Sequence, residues 1–340
     1  MKVFLEVLKK NMEKRLDYID KLRGFAILLV VMGHLYLPYT VQGGSHPVAE
    51  MIYSFHMPLF FFISGYLCEI THKIARIGYL NFVRKKVISL LIPYLFWIVA
   101  VSFLFTHKPI TTFGDFILLF NFFPNKLFWF MPVLFLIMLL YMLQYRLLQK
   151  KDSLARRLLF VIIVCGLLCI LGVLLHEYFL LIYAIYGFSF LTGALVMKEE
   201  SIQERILDNR CYGGGSLVLC ILWLIYPFDP NGRILYSALN VLLTLLCSIS
   251  AIIVFYNFFI KVSLCKPIDW FFSEMGRMSI VIYLTPLVMF PKGFIFDGLT
   301  VTTENLIIVL VAIIQCLLAY SIGKFIYKIP YLRLIMYGKK

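Results

Sequence analysis

Long apolar stretches alternate with short polar segments along nearly the whole chain. A membrane-spanning helix needs about 20 mostly apolar residues, and ten stretches meet that requirement. They cover residues 23–41, 51–70, 87–106, 127–145, 158–175, 178–197, 212–228, 234–260, 277–296 and 304–324. The pattern therefore predicts an all-α integral membrane protein with about ten transmembrane helices. Because the polar segments between them are short, residues 1–340 are expected to form a single polytopic membrane domain.

The basic residues lie almost entirely on one side of the predicted helices. With the N-terminus in the cytoplasm, 28 of the 32 Lys and Arg residues fall in cytoplasmic segments and the other four in outer loops. Such asymmetry is typical of membrane proteins and predicts that both termini are cytoplasmic. Residues 1–22 then form a cytoplasmic N-terminal segment and residues 325–340 a basic cytoplasmic tail. The net charge of +14 is explained by topology, so no nucleic-acid partner is expected.

The composition indicates that lipid is the main solvent of this chain. It is 62% hydrophobic and 15% charged, against about 45–50% apolar and about 25% charged in soluble domains. The eight cysteines are scattered, mostly within apolar runs, and form no C-x-x-C pair. They are expected to be small buried hydrophobic residues, and neither a metal site nor a permanently bound cofactor is predicted.

Two histidines, His34 and His56, are the only ionisable side chains deep inside the predicted spans. Such groups are costly in a bilayer and usually face a protein interior or a watery cavity. Arg23 precedes His34 by eleven residues, close to three full helical turns. The two side chains therefore share one helix face, separated by roughly 16 Å along its axis.

The second predicted helix brings His56 to a similar depth. It runs in the opposite direction, and His56 lies about six residues, or roughly 9 Å, inside its outer end. In a core about 30 Å thick, both imidazoles come within about 5 Å of the same depth. Gly33 would let a neighbouring backbone approach His34, and Pro58 frees a carbonyl beside His56.

Each of these residues also has an ordinary structural interpretation. A histidine in a helical bundle can simply hydrogen-bond to a carbonyl of a neighbouring helix. Arg23 could be an edge cation, or pair with Asp20 three residues earlier. The shared face of Arg23 and His34 is what favours a functional site.

Five segments, in this order along the chain, resemble the membrane proteins of acyltransferase family 3. The opening segment, "YIDKLRGFAILLVVMGHL", carries Arg23 and His34 separated by ten residues. The next, "IYSFHMPLFFFISGYL", resembles the fucose 4-O-acetylase-like members. Weaker matches are "RKKVISLLIPYLFW" (84–97), "LFWFMPVLF" (127–135) and "MGRMSIVIYLTPL" (275–287).

The resemblance implies a bacterial inner-membrane enzyme that moves an acyl group, usually acetyl from acetyl-CoA, onto a sugar hydroxyl. The implied acceptors are cell-surface polysaccharides or their lipid-linked sugar precursors. Arg23 and His34 match the pair associated with activity, and His56 matches the second motif. The chain departs from many members at Thr285, where they have a histidine.

Roles for these residues follow from the chemistry of acyl transfer. His34 could take the hydroxyl proton as a general base or accept the acyl group itself, and His56 could orient His34 or donate to the oxyanion. Arg23, or the run Arg84, Lys85 and Lys86, could bind coenzyme A phosphates. That run is equally explained as cytoplasmic positive charge.

Trp129 and Phe130 are candidate substrate-binding residues, since their rings could stack on a sugar or on adenine. Aromatic residues are also common at membrane interfaces. A different class of function is open as well: a transporter or flippase for a polysaccharide or lipid-linked sugar, without chemistry, because buried histidines suit proton relays. Against it, the spans contain no deep carboxylate and no evident repeat.

Overall fold

A computed structural model describes residues 2–41, 46–70, 78–101, 128–147, 154–175, 178–225, 238–285 and 300–339. All regular secondary structure in these ranges is helical. The helices are α1 (Lys2–Val41), α2 (Pro47–Ile70), α3 (Tyr79–Lys86), a π-helical turn (Val87–Leu91), α4 (Ile92–Val101), α5 (Phe130–Leu147), α6 (Leu154–Leu174), α7 (Tyr178–Lys198), α8 (Glu200–Leu207), α9 (Asn209–Ile225), α10 (Ala238–Lys261), α11 (Lys266–Arg277), α12 (Ser279–Leu284), α13 (Val301–Ile326) and α14 (Pro330–Tyr337).

The all-helical class is confirmed in the described ranges, and each predicted span overlaps a helix there. Within these ranges four helices are long and apolar enough to cross a membrane. These segments are Pro47–Glu69, Leu180–Lys198, Val241–Lys261 and Val301–Ile326. Parts of spans 87–106, 127–145, 212–228, 234–260 and 277–296 lie outside the described residues, so the total of ten and the cytoplasmic termini stay predictions.

Three segments predicted as cytoplasmic connections are helical. The first helix does not begin at Arg23 but runs from Lys2, so α1 extends about 60 Å at 1.5 Å per residue. Residues 261–277 contain α11, whose apolar face packs on α1. The tail 325–340 contains α14, and its Tyr337 is completely buried. Hydropathy indicates that these segments are polar, but the apolar sides of α11 and α14 still pack against other helices.

The crossing of α1 and α11 depends on two glycines. A Cβ atom on Gly24 would lie 1.9 Å from the carbonyl oxygen of Phe272, and one on Gly276 would lie 1.8 Å from that of Asp20. Small residues allow two helix backbones to approach this closely in a membrane protein. Because Gly24 follows Arg23, this crossing also fixes the position of the arginine.

A second glycine pair joins α2 to α7. A Cβ atom on Gly65 would lie 1.8 Å from the carbonyl oxygen of Phe190, and one on Gly193 would lie 1.9 Å from that of Phe62. With α1 against α2, these two crossings make α1 and α2 the centre of the bundle. Helices such as α6, α9 and α13 lie outside and expose large aliphatic side chains, as expected of surfaces in contact with lipid.

Candidate functional site

The His34 side chain combines two properties that rarely occur together. Its surface is exposed, and yet protein atoms surround it densely on all sides. A side chain facing lipid would be exposed with few protein atoms around it, so this combination favours a cleft within the bundle as the environment of His34. Within the described residues, neither of its ring nitrogens has a hydrogen-bond partner. The imidazole is therefore free to accept a proton from a molecule that enters.

The second histidine lies nearby with one nitrogen occupied. His56 is 5% exposed and close enough to His34 for the two rings to interact electrostatically. Its Nδ1 lies 2.7 Å from the carbonyl oxygen of Ile52. A carbonyl only accepts, so Nδ1 carries the hydrogen, and neutral His56 presents Nε2 as an acceptor. Donation to an oxyanion would require His56 to carry a second proton, which makes orientation of His34 the simpler of the two expected roles.

Tyr53 connects the two histidine-bearing helices. Its hydroxyl donates to the carbonyl of Gly33 at 2.9 Å, and its ring packs edge-on against His56. The expected close backbone approach at Gly33 was wrong: a Cβ atom there would meet only side chains of Ile52 and Tyr53, at 3.6 Å. The close partner of Gly33 is therefore a tyrosine ring, which positions the peptide next to His34.

We expect Tyr53→Phe to reduce kcat about 2- to 10-fold, because one hydrogen bond contributes about 0.5–1.5 kcal/mol and this one positions the peptide next to His34. The KM values for both substrates should stay unchanged. Steady-state kinetics on the purified variant would measure both. A rise in KM with kcat unchanged would contradict a positioning role.

Pro58 frees a backbone carbonyl, as expected. The Ser248 hydroxyl lies 3.5 Å from the carbonyl of Ser54, four residues earlier, but donates to the closer carbonyl of Thr244 at 2.7 Å. The Ser54 hydroxyl accepts from the indole of Trp223 at 3.1 Å. These contacts place α9 and α10 against α2 two residues before His56, and so they stabilise the helix that holds it.

Arg23 does not pair with Asp20. The Asp20 carboxylate instead lies 3.4 Å from Arg277, and no carboxylate of the described residues lies within ion-pairing distance of Arg23. Arg23 interacts electrostatically with Asp20 and Tyr327, both of which lie beyond contact distance. Arg23 and Asp20 thus interact through their charges without forming a contact ion pair, and among the described residues no side chain forms a hydrogen bond with the guanidinium.

Buried side chains occupy the face of α1 between Arg23 and His34. Ile27 and Val30 lie on the same face of α1 between them, and both are buried. A molecule that touches both Arg23 and His34 must therefore pass beside α1 rather than along this face. That one bound molecule contacts both Arg23 and His34 therefore stays a prediction.

The basic run Arg84, Lys85 and Lys86 forms the last turn of α3. Arg84 and Lys85 are exposed, and Lys86 lies over the Phe82 ring at 5.4 Å. None of the contacts between described residues joins the run to Arg23 or to either histidine. Its role in binding coenzyme A stays a prediction.

Trp129 and Phe130 belong to an aromatic cluster. Trp129 stacks on Tyr186, which occupies one face of the indole, while Phe130 packs against Phe60, one turn after His56. Phe128, just before them, is buried with φ of 65°. Bulky residues rarely adopt that conformation, and it costs about 1–3 kcal/mol. The surrounding rings hold this strained corner in place, and substrate stacking on Trp129 would use its other face.

Thr285 has a partner from the far end of the chain. It is buried, and its hydroxyl lies 3.1 Å from that of Tyr337 on α14. This chain thus has a threonine–tyrosine pair at the position where the family resemblance implies a histidine. Sequence reasoning missed Tyr337 because nothing in a basic C-terminal segment indicates an inward-facing hydroxyl.

These features together define a class: a multi-pass, all-helical membrane protein with an exposed imidazole among many protein atoms and, on the same helix, an arginine that makes no contact ion pair with the described residues. Residues 16–323 match the family model described as an acyltransferase domain, that of acyltransferase family 3. The chain belongs to this family. Membership of a family described by an acyltransferase domain favours acyl-transfer chemistry over the transporter interpretation.

Two curated relatives share part of this sequence. The Nodulation protein NolL of Sinorhizobium fredii is 42% identical over 82 residues, covering 23% of this chain and 22% of the relative. The Nodulation protein NolL of Mesorhizobium japonicum is 41% identical over 83 residues, covering 23% and 21%. The chain thus spans about a fifth of each relative's length. No solved structure matches the chain.

Proposed function

We propose that this enzyme transfers an acetyl or similar acyl group from acyl-CoA to a hydroxyl of a cell-surface polysaccharide or its lipid-linked sugar precursor, in a bacterial inner membrane. The observation that carries the proposal is the state of His34: its side chain is exposed, many protein atoms lie around it, and no described residue forms a hydrogen bond with its ring. An imidazole in that state suits proton transfer to and from a bound substrate.

In the proposed reaction, the acceptor hydroxyl oxygen attacks the thioester carbonyl carbon while a ring nitrogen of His34 takes the hydroxyl proton. The tetrahedral intermediate then collapses, the carbon–sulfur bond breaks, and the imidazolium returns the proton to the departing sulfur. The products are an ester and free coenzyme A. In the alternative route a ring nitrogen of His34 attacks the thioester carbon, the carbon–sulfur bond breaks, and coenzyme A leaves with the imidazole proton. The acceptor hydroxyl then attacks the acyl-imidazole, and its proton returns to the departing ring nitrogen.

The predicted depth of His34 supports transfer across the membrane. Arg23 would hold the anionic donor at the cytoplasmic mouth, and the thioester would reach a histidine about 16 Å further along α1. A glycan on the opposite side could then approach the same imidazole. The acyl group would move outward as it is transferred, without release.

The reaction class is tested by thiol release. Purified protein in lipid vesicles, given acetyl-CoA and a polysaccharide fraction, is expected to release free coenzyme A and to increase the glycan mass by whole acetyl units. Vesicles without acceptor provide the control, and they should release thiol far more slowly. If the thiol appears at the same rate without any acceptor, glycan transfer is excluded.

The direction of transfer is tested with sealed vesicles of one orientation. Labelled acetyl-CoA is supplied on the side of Arg23, with acceptor on either side in separate samples. Labelled glycan is expected only when the acceptor lies opposite the donor. Product restricted to the donor side would show a reaction confined to the cytoplasmic face.

A further inference from the structure

The C-terminal helix α14 reaches back to the region of Arg23. Tyr327 directly follows the end of α13, and its phenol interacts electrostatically with both Arg23 and Arg333 of α14. The Tyr327 ring also packs on Tyr337, with centroids 5.9 Å apart. Two arginines from opposite ends of the chain therefore converge on one tyrosine.

This cluster has donors without acceptors. Nε of Arg333 and the hydroxyl of Tyr327 are both buried and lack a hydrogen-bond partner. No carboxylate of the described residues lies within ion-pairing distance of Arg333 or Arg23. Burial of an unsatisfied donor is costly, so these two donors favour the binding of a group that accepts hydrogen bonds. Burial raises the pKa of Tyr327 to about 12, and its hydroxyl keeps its proton at neutral pH.

Specific contacts hold α14 in this position. The Trp97 indole donates to the Met336 carbonyl at 2.9 Å, and Tyr337 pairs with Thr285. Gly338, with φ of 62°, packs on the π-helical turn: a Cβ atom there would lie 2.6 Å from Cα of Ser89. That turn directly follows Lys86, so α14 contacts the segment next to the basic run.

The geometry points to an anion site in which Arg333, Tyr327 and Arg23 bind a phosphate group of the acyl-CoA donor. The assignment rests on the proposed function, since it specifies how the donor is held. Arginine suits phosphate because its planar guanidinium can donate two parallel hydrogen bonds. The C-terminal helix is then a part of the donor site rather than a topological tail.

Arg333→Gln tests the site, with Lys328→Gln as the matched control, since Lys328 is exposed in the same segment. We expect Arg333→Gln to raise the KM for acetyl-CoA about 10- to 100-fold, the range for a charged hydrogen bond. Its kcat and its KM for the acceptor should match those of the wild type. With acetyl-pantetheine, a donor without the nucleotide phosphates, the variant and the wild type should be equal. Lys328→Gln should resemble the wild type with both donors.

If Arg333→Gln lowers the transfer rate equally with acetyl-CoA and with acetyl-pantetheine, the anion site is overturned, because Arg333 then has a structural role. An unchanged KM for acetyl-CoA would overturn it too. Calorimetric binding of coenzyme A to the wild type and to Arg333→Gln provides a readout independent of transfer. If the wild type transfers nothing to any glycan, the proposed function fails, whereas weaker coenzyme A binding by the variant still supports the anion site.

Discussion

His34→Ala is expected to reduce acyl transfer about 10²- to 10⁴-fold, the usual contribution of a general base. The alanine variant has no group at this position that takes the hydroxyl proton, and the nearby His56 has its Nδ1 bonded to the carbonyl of Ile52. Because the side chain is exposed, its removal leaves space rather than a strained core, and the protein should remain folded. The measurement is the rate of thiol release at saturating acetyl-CoA, alongside the melting temperature in detergent.

Added imidazole provides a sharper readout for the same variant. If the His34 cavity is reachable, a free imidazole should enter and restore part of the rate, and His34→Gln, which fills the space, should respond less. A folded His34→Ala variant that transfers at the wild-type rate would contradict the assignment of the base. Loss of folding without any rescue would instead indicate a structural histidine.

The sequence was sufficient for those parts of the site that depend on a single helix. The shared face of Arg23 and His34 follows from helical geometry alone, and so does the carbonyl freed by Pro58. The expected proximity of His34 and His56 needed only two adjacent antiparallel helices. Each inference used local periodicity together with the thickness of the bilayer.

Contacts between distant segments could not be predicted in this way. The way in which the helices cross determines three contacts: Tyr53 with Gly33, Arg277 with Asp20, and Tyr337 with Thr285. Hydropathy reports the solvent that a segment prefers and not its partner, so it does not predict the contacts that α14 makes inside the predicted tail. The glycines that set two of the crossings are visible in the sequence, but their partner backbones are not.

The crossing of α1 and α11 leads to the second large expected effect. Gly24→Ala should destabilise the protein by about 1–3 kcal/mol or more, as overpacking does. The added Cβ would lie 1.9 Å from a backbone oxygen of Phe272, and no side-chain rotation relieves that overlap. Helices α1 and α11 must separate, which moves Arg23 and weakens the ion pairs of Lys21 with Asp269 and of Asp20 with Arg277.

Gly213→Ala is the matched control, because it lies in helix α9 with open space where the Cβ would be. Alanine is favoured over glycine inside a helix by about 0.5–1 kcal/mol, so this variant should be neutral or slightly more stable. Thermal and denaturant unfolding in detergent would compare the two, and acetyl-CoA KM would report displacement of Arg23. A Gly24→Ala variant as stable and as active as Gly213→Ala would contradict the backbone contact between α1 and α11, and with it the fixed position of the arginine.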